Sequence, residues 1–67
     1  MRRTDLEKQL RAIAKTKAVA FSKSREGANH TIFNMNGTKI PVPRHREISE
    51  HLAKKILKDA RAAVDNT

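Results

Sequence analysis

Asn36-Gly37 is the feature that most narrows how this chain can fold. A two-residue hairpin loop of type I′ needs positive φ at both central residues, which Asn-Gly tolerates and most pairs do not. HTIFNM, residues 30–35, precedes it and TKIPV, residues 38–42, follows it, each patterned like a strand. Pairing back from the turn sets Met35 opposite Thr38, Phe33 opposite Ile40 and Thr31 opposite Val42. Asn34, Ile32 and His30 then stand opposite Lys39, Pro41 and Pro43. One face collects Phe33, Met35, Ile40 and Val42 and has to be covered. His30 falls on the other face, at the mouth of the REGA turn (residues 25–28), and Ile32 looks outward with it. Pro41 and Pro43 alternate and lack an N–H, so the strand they occupy reads as an edge strand that Pro43 ends.

The flanking segments supply the cover. Thr4 and Glu7 have capping-box spacing, and Leu6, Leu10, Ile13 and Ala14 recur at helical intervals, which predicts a helix over residues 5–15. AVAFSKS, residues 18–24, places Val19 and Phe21 two apart and reads as a half-buried first strand. Beyond the hairpin, Ile48, Leu52, Ile56, Leu57, Ala60, Ala63 and Val64 form an apolar stripe, with Ser49 as the expected N-cap of a helix reaching about residue 64. The expected order is α-β-β-β-α, a single α+β domain over residues 1–67 with a three-stranded antiparallel sheet and both helices on one face. A chain of 67 residues buries only ~60% of its unfolded surface, which leaves no room for a deep internal active site.

Charge indicates the class of partner. Fifteen Lys and Arg against seven Asp and Glu give a formal net charge of +8, spread along the whole chain. This favours a polyanion, nucleic acid ahead of an anionic membrane, with a merely solvated surface as the alternative. The chain has no cysteine, which removes disulfides and thiolate metal sites and suits a reducing cytoplasm. MRRTDLEKQL has no apolar segment behind its basic residues, and no run approaches ~18 apolar residues, so a cytoplasmic protein outside the membrane is expected. Two basic stripes stand at helical spacing: Lys8, Arg11 and Lys15, then Lys54, Lys58 and Arg61. They read either as RNA-backbone contacts or as solubilising surface, with Glu50 and Lys54 forming an ordinary i, i+4 pair. Both aromatics, Phe21 and Phe33, are expected in the core, so phosphate and 2′-OH contacts, not base stacking, would dominate.

A histidine exposed at the end of a turn can ligate metal or move protons near neutral pH. His30, His45 and His51 lack i, i+4 spacing, and no carboxylate completes a recognisable site, so neither metal nor cofactor is expected. Lys23, Arg25 and Arg44 fall near His30 in the expected topology, and a basic rim around an imidazole suits phosphodiester cleavage. The alternative is a surface histidine with no task. His45, two residues beyond Pro43, is a candidate acid for the leaving 5′ oxygen, against the alternative of an ordinary loop histidine. His51 is assigned no role.

GANHTIF, followed after the Asn-Gly turn by IPVPRHREISEHLAKKIL, resembles the HicA toxins of bacterial type II toxin-antitoxin systems. In that family a Gly-x-His-type motif opens the second strand, a Val-Pro-x-His-type segment closes the third, and a helix follows, within a fold like double-stranded-RNA-binding domains. The resemblance covers residues 4–60. It implies a ribosome-independent mRNA interferase, an endoribonuclease with RNA and a HicB-type antitoxin protein as partners and no small-molecule substrate. His30 stands where the family's catalytic histidine stands. Many members read Gly-Ser-His, whereas Gly27 here is followed by Ala28, Asn29 and His30, so a role for that serine does not carry over and Asn29 is the candidate hydrogen-bond donor in its place. The rival readings are a non-catalytic RNA-binding module of the same fold and a pure interaction protein.

Overall fold

In the computed structural model, which describes residues 1–27 and 29–65, the elements are α1 (Arg3–Lys17), β1 (Phe21–Glu26), β2 (His30–Met35), β3 (Thr38–Pro43) and α2 (Glu50–Asp65). The strands form one antiparallel sheet in the order β1-β2-β3. Asn36 and Gly37 adopt φ of 54° and 85°, the backbone a type I′ turn requires. The β2–β3 register runs from Met35 opposite Thr38 to His30 opposite Pro43, as the sequence predicts. Asn36 has a second task that local sequence does not reveal. Its side-chain amide donates to the Ala63 carbonyl at 3.1 Å, tying the turn to the end of α2.

The inward face of the hairpin is buried against both helices. Phe33, Met35, Ile40 and Val42 share one core with Leu6, Leu10 and Ala14 of α1 and Ala53, Ile56, Leu57, Ala60 and Val64 of α2. Leu6 and Leu10 are fully enclosed, and burying such a side chain stabilises by about 1.5–3 kcal/mol each. Phe21 stacks on Phe33 at the margin, ring centroids 5.2 Å apart. β3 is an edge strand. The His30 carbonyl accepts from the Gly27 N–H at 2.8 Å and so points to β1, which leaves the His30–Pro43 pair free of ladder bonds and accommodates the proline.

Both helices close differently at their starts. Ser49 caps α2: its hydroxyl accepts from the Leu52 N–H at 3.3 Å, and its carbonyl accepts from Ala53 at 2.8 Å. The Thr4–Glu7 capping box does not form, because α1 begins at Arg3 with Arg2 as N-cap and no side-chain cap. Tertiary backbone pairing takes its place: Arg2 bridges Glu47, the Arg3 N–H donates to the Arg46 carbonyl at 3.0 Å, and the Ile48 N–H donates to the Met1 carbonyl at 2.7 Å. Ile48, expected at the head of the helical stripe, is buried in this connection just before α2.

The first strand starts later than residues 18–24 suggest. Ala18 takes a left-handed conformation, φ 55°, and its N–H and that of Val19 close the last turn of α1 onto Lys15 and Ala14. This is a Schellman closure with alanine where glycine is usual. A left-handed alanine costs roughly 1–2 kcal/mol, partly offset by glycine's larger unfolded-state entropy. Ala18→Gly should therefore stabilise the fold by about 0.5–1 kcal/mol, read as a higher melting temperature. A lower one would mean that the Ala18 methyl contributes packing that the closure depends on.

Candidate nucleic-acid interface and histidine site

His30 opens β2 and is exposed, so its imidazole stands clear of the core while its backbone is fixed. Three bonds do the fixing. The Gly27 N–H donates to the His30 carbonyl at 2.8 Å, the Arg44 N–H donates to the Asn29 carbonyl at 3.1 Å, and Arg44 Nη1 donates to the Gly27 carbonyl at 3.2 Å. Ala28, the other residue of the Gly27-Ala28-Asn29-His30 segment that differs from Gly-Ser-His, is outside the described residues.

Two shallow concavities meet at this histidine. One, on the open face of the sheet, is lined by Arg25, Gly27, Asn29, His30 and Ile32. The other runs toward α2 and is lined by Asn29, His30, Pro43, Arg44, His45 and Leu52. Arg25 and Asn29 share the first concavity with His30, and Asn29, Arg44 and His45 share the second. Ile32 is half-buried, a partial floor to the first concavity.

Lys23 is not part of this group. Lys23 pairs with Phe33 and Arg25 with Ile32, which leaves Ser24 as an unpaired extra residue, a β-bulge. The bulge reverses the alternation, so Arg25 shares the His30 face while Lys23 shares the face of Phe33. Lys23 there forms an ion pair with Glu26, Nζ to Oε1 at 3.5 Å. Nothing in the local pattern of FSKSRE distinguishes this from a regular strand that would turn Lys23 and Arg25 the same way.

The basic stripe of α2 is divided. Lys54 and Lys58 stand with His51 and Lys55 on an exposed face, and among the described residues Glu50 and Lys54 do not pair. Arg61 instead lines a groove between the helices, with Ala12, Ile13 and Thr16. None of the three borders the concavities at His30. A further cluster was not singled out by the sequence reading: Arg2 and Arg3 from the start of α1 meet Arg44 and Arg46 from the β3–α2 connection around one concavity, with Thr4 and Glu47. The R-H-R triplet at residues 44–46 is its local sign, but its conjunction with residues 2 and 3 is a product of tertiary pairing.

Among the described residues no three His, Cys, Asp or Glu side chains gather in a group that could hold a metal ion, and no helix is long and apolar enough to cross a membrane. The arrangement offers one imidazole with a second nearby, flanked by guanidinium groups, open to a large polyanion.

Because His30 is exposed and its side chain makes no hydrogen bond or ion pair among the described residues, His30→Ala should open no cavity and change stability by no more than about 0.5 kcal/mol in either direction. Thermal melting checks this, and an unfolded variant would show that the imidazole carries packing. Comparison with known proteins identifies no relative: no family model, no curated protein and no solved structure matches this chain.

Proposed function

We propose that this chain is an RNA-cleaving toxin of the HicA type, an mRNA interferase that acts in the cytoplasm, with His30 as general base and a HicB-type antitoxin as its inhibitor. The observation that carries the reading is the placement of His30: exposed, backbone-fixed, and shared by two concavities that bring it Arg25 on one side and Arg44 and His45 on the other. The net charge of +8 supports a polyanionic substrate. The order of the elements agrees with the resemblance of GANHTIF and IPVPRHREISEHLAKKIL to that family.

The chemistry follows from the groups present. The neutral His30 imidazole accepts the proton of a ribose 2′-OH, and the 2′ oxygen attacks the adjacent phosphorus. The P–O2′ bond forms and the P–O5′ bond breaks. Arg25 and Arg44 offset the charge that grows on the non-bridging oxygens. Arg44 is already held through Nη1 on the Gly27 carbonyl, and among the described residues the rest of its planar fork makes no further hydrogen bond. The leaving 5′ oxygen takes a proton from His45 or from the imidazolium of His30 itself. Asn29, which lines both concavities, would be the hydrogen-bond donor to the same phosphate. Lys54 and Lys58 would hold more distant phosphates of the strand.

His30→Ala should still bind RNA in a gel-shift assay and lose the general acid-base contribution to cleavage, about 10²–10⁴-fold. The parent's cleavage should be undiminished in EDTA. A His30→Ala variant that cleaves as fast as the parent would favour a non-catalytic RNA-binding module with a contaminating nuclease. Chelation that abolishes cleavage, with Mg²⁺ restoring it, would replace the histidine mechanism by a metal-dependent one.

A further inference from the structure

We propose that the concavity walled by Arg2, Arg3, Arg44 and Arg46 is a second phosphate subsite, which seats the RNA backbone on one side of the phosphodiester cleaved at His30. This rests on the reading of the chain as an RNA-cleaving protein and extends it by giving the strand a direction of travel over the surface. Arg44 lines both this concavity and the one containing His30 and His45, so the two are contiguous.

The convergence is unfavourable unless an anion joins it. Four guanidinium groups meet with Glu47 as the lining carboxylate, and Glu47 Oε2 is already 3.1 Å from the Met1 amine. Among the described residues none of the four arginines forms a salt bridge. Arg3 is held by Nη1 on the Arg44 carbonyl at 3.2 Å, while its Nε is enclosed and has no hydrogen-bond partner among the described residues. Four guanidinium groups gathered against one carboxylate that already serves the Met1 amine leave an excess of positive charge that folding alone would not select. A phosphate offers acceptors to the exposed guanidinium N–H groups that line the concavity, and the guanidinium fork matches its oxygens in pairs.

The backbone contributes in the same sense. The first turn of α1, a helix of 15 residues, has no side-chain cap, and Thr4 of that turn lines the concavity. The Arg3 N–H is taken by the Arg46 carbonyl, which holds the positive end of the helix against the loop that carries Arg44 and Arg46. Nucleic acid is favoured over an acidic polypeptide because Arg44 joins this site directly to the imidazole where a phosphodiester is read to react.

The test is the salt dependence of binding to a 2′-O-methyl oligoribonucleotide, which cannot be cleaved, for the parent, the Arg2→Gln/Arg46→Gln double variant and His30→Ala. Arg2 and Arg46 are exposed and, among the described residues, their side chains form no ion pair and donate no hydrogen bond, so the fold should persist, which melting verifies. The double variant should bind more weakly, with a slope of log K against log salt reduced by about 1–2, while His30→Ala keeps the parent slope. Glu47→Gln, which takes the carboxylate out of the concavity, should bind more tightly than the parent and gives an independent reading if the double variant melts early. An unchanged affinity and slope in the double variant, or no gain in Glu47→Gln, would overturn the subsite. Equal binding of polyglutamate of matched charge, lost in the double variant, would overturn it in favour of an acidic protein partner. The catalytic reading fails separately, if His30→Ala cleaves like the parent.

Discussion

The left-handed backbone at Asn36 and Gly37 is the constraint from which the rest of the molecule follows. A type I′ turn leaves one register open to its strands, and in a strand a register fixes every side chain to one of two faces. Phe33, Met35, Ile40 and Val42 are thereby committed to the core, and His30 to the exposed face. The core cannot be kept while the histidine is moved, because a slip of one residue would exchange both sets. The bond from Asn36 to the Ala63 carbonyl extends the constraint to α2, so the turn that sets the register also seats the helix over it.

Around His30 the structure adds what a hairpin alone would not provide. The Ser24 bulge brings Arg25 onto the exposed face, and Arg44, bonded to both Asn29 and Gly27, ties the loop before β2 to the connection after β3. That connection is itself anchored by the bridge from Arg2 to Glu47. The imidazole and its flanking guanidinium groups therefore rest on backbone bonds between segments far apart in the chain, with no deep pocket needed. For a polyanion this openness is suitable, since recognition by phosphate contact requires a charged surface more than an enclosure.

What could be read from the residues in advance was what depended on local pattern. The β2–β3 register, the Ser49 cap, the inward set of the hairpin and the stripe of α2 all follow from periodicity or turn chemistry within a few residues. The features that escaped are those decided by distant partners. The Thr4–Glu7 box gave way because residues 46–48 offered backbone partners to the start of α1. Residues 18 and 19 went to closing α1 instead of starting β1, with an alanine in a place where glycine would have signalled the stop. The bulge at Ser24 separated Lys23 from Arg25, which a regular alternation would have kept together. Of the expected cluster, His30, Asn29, Arg25, Arg44 and His45 assemble, Lys23 does not, and the arginine concavity at Arg2, Arg3, Arg44 and Arg46 arises only when the start of α1 meets the β3–α2 connection.

The central claim is that an exposed imidazole at the start of β2 removes a proton from a ribose hydroxyl so that the strand cuts itself. The chemistry of the product ends tests that claim most directly. A defined RNA incubated with the protein and examined by mass spectrometry should yield 5′ fragments ending in a 2′,3′-cyclic phosphate and 3′ fragments beginning with a free 5′-hydroxyl. A single 2′-deoxy substitution at the scissile nucleotide should abolish the cut. Fragments carrying a 3′-hydroxyl and a 5′-phosphate, or undiminished cleavage of the 2′-deoxy substrate, would show that water and not the ribose is the nucleophile, and would contradict the role assigned to His30.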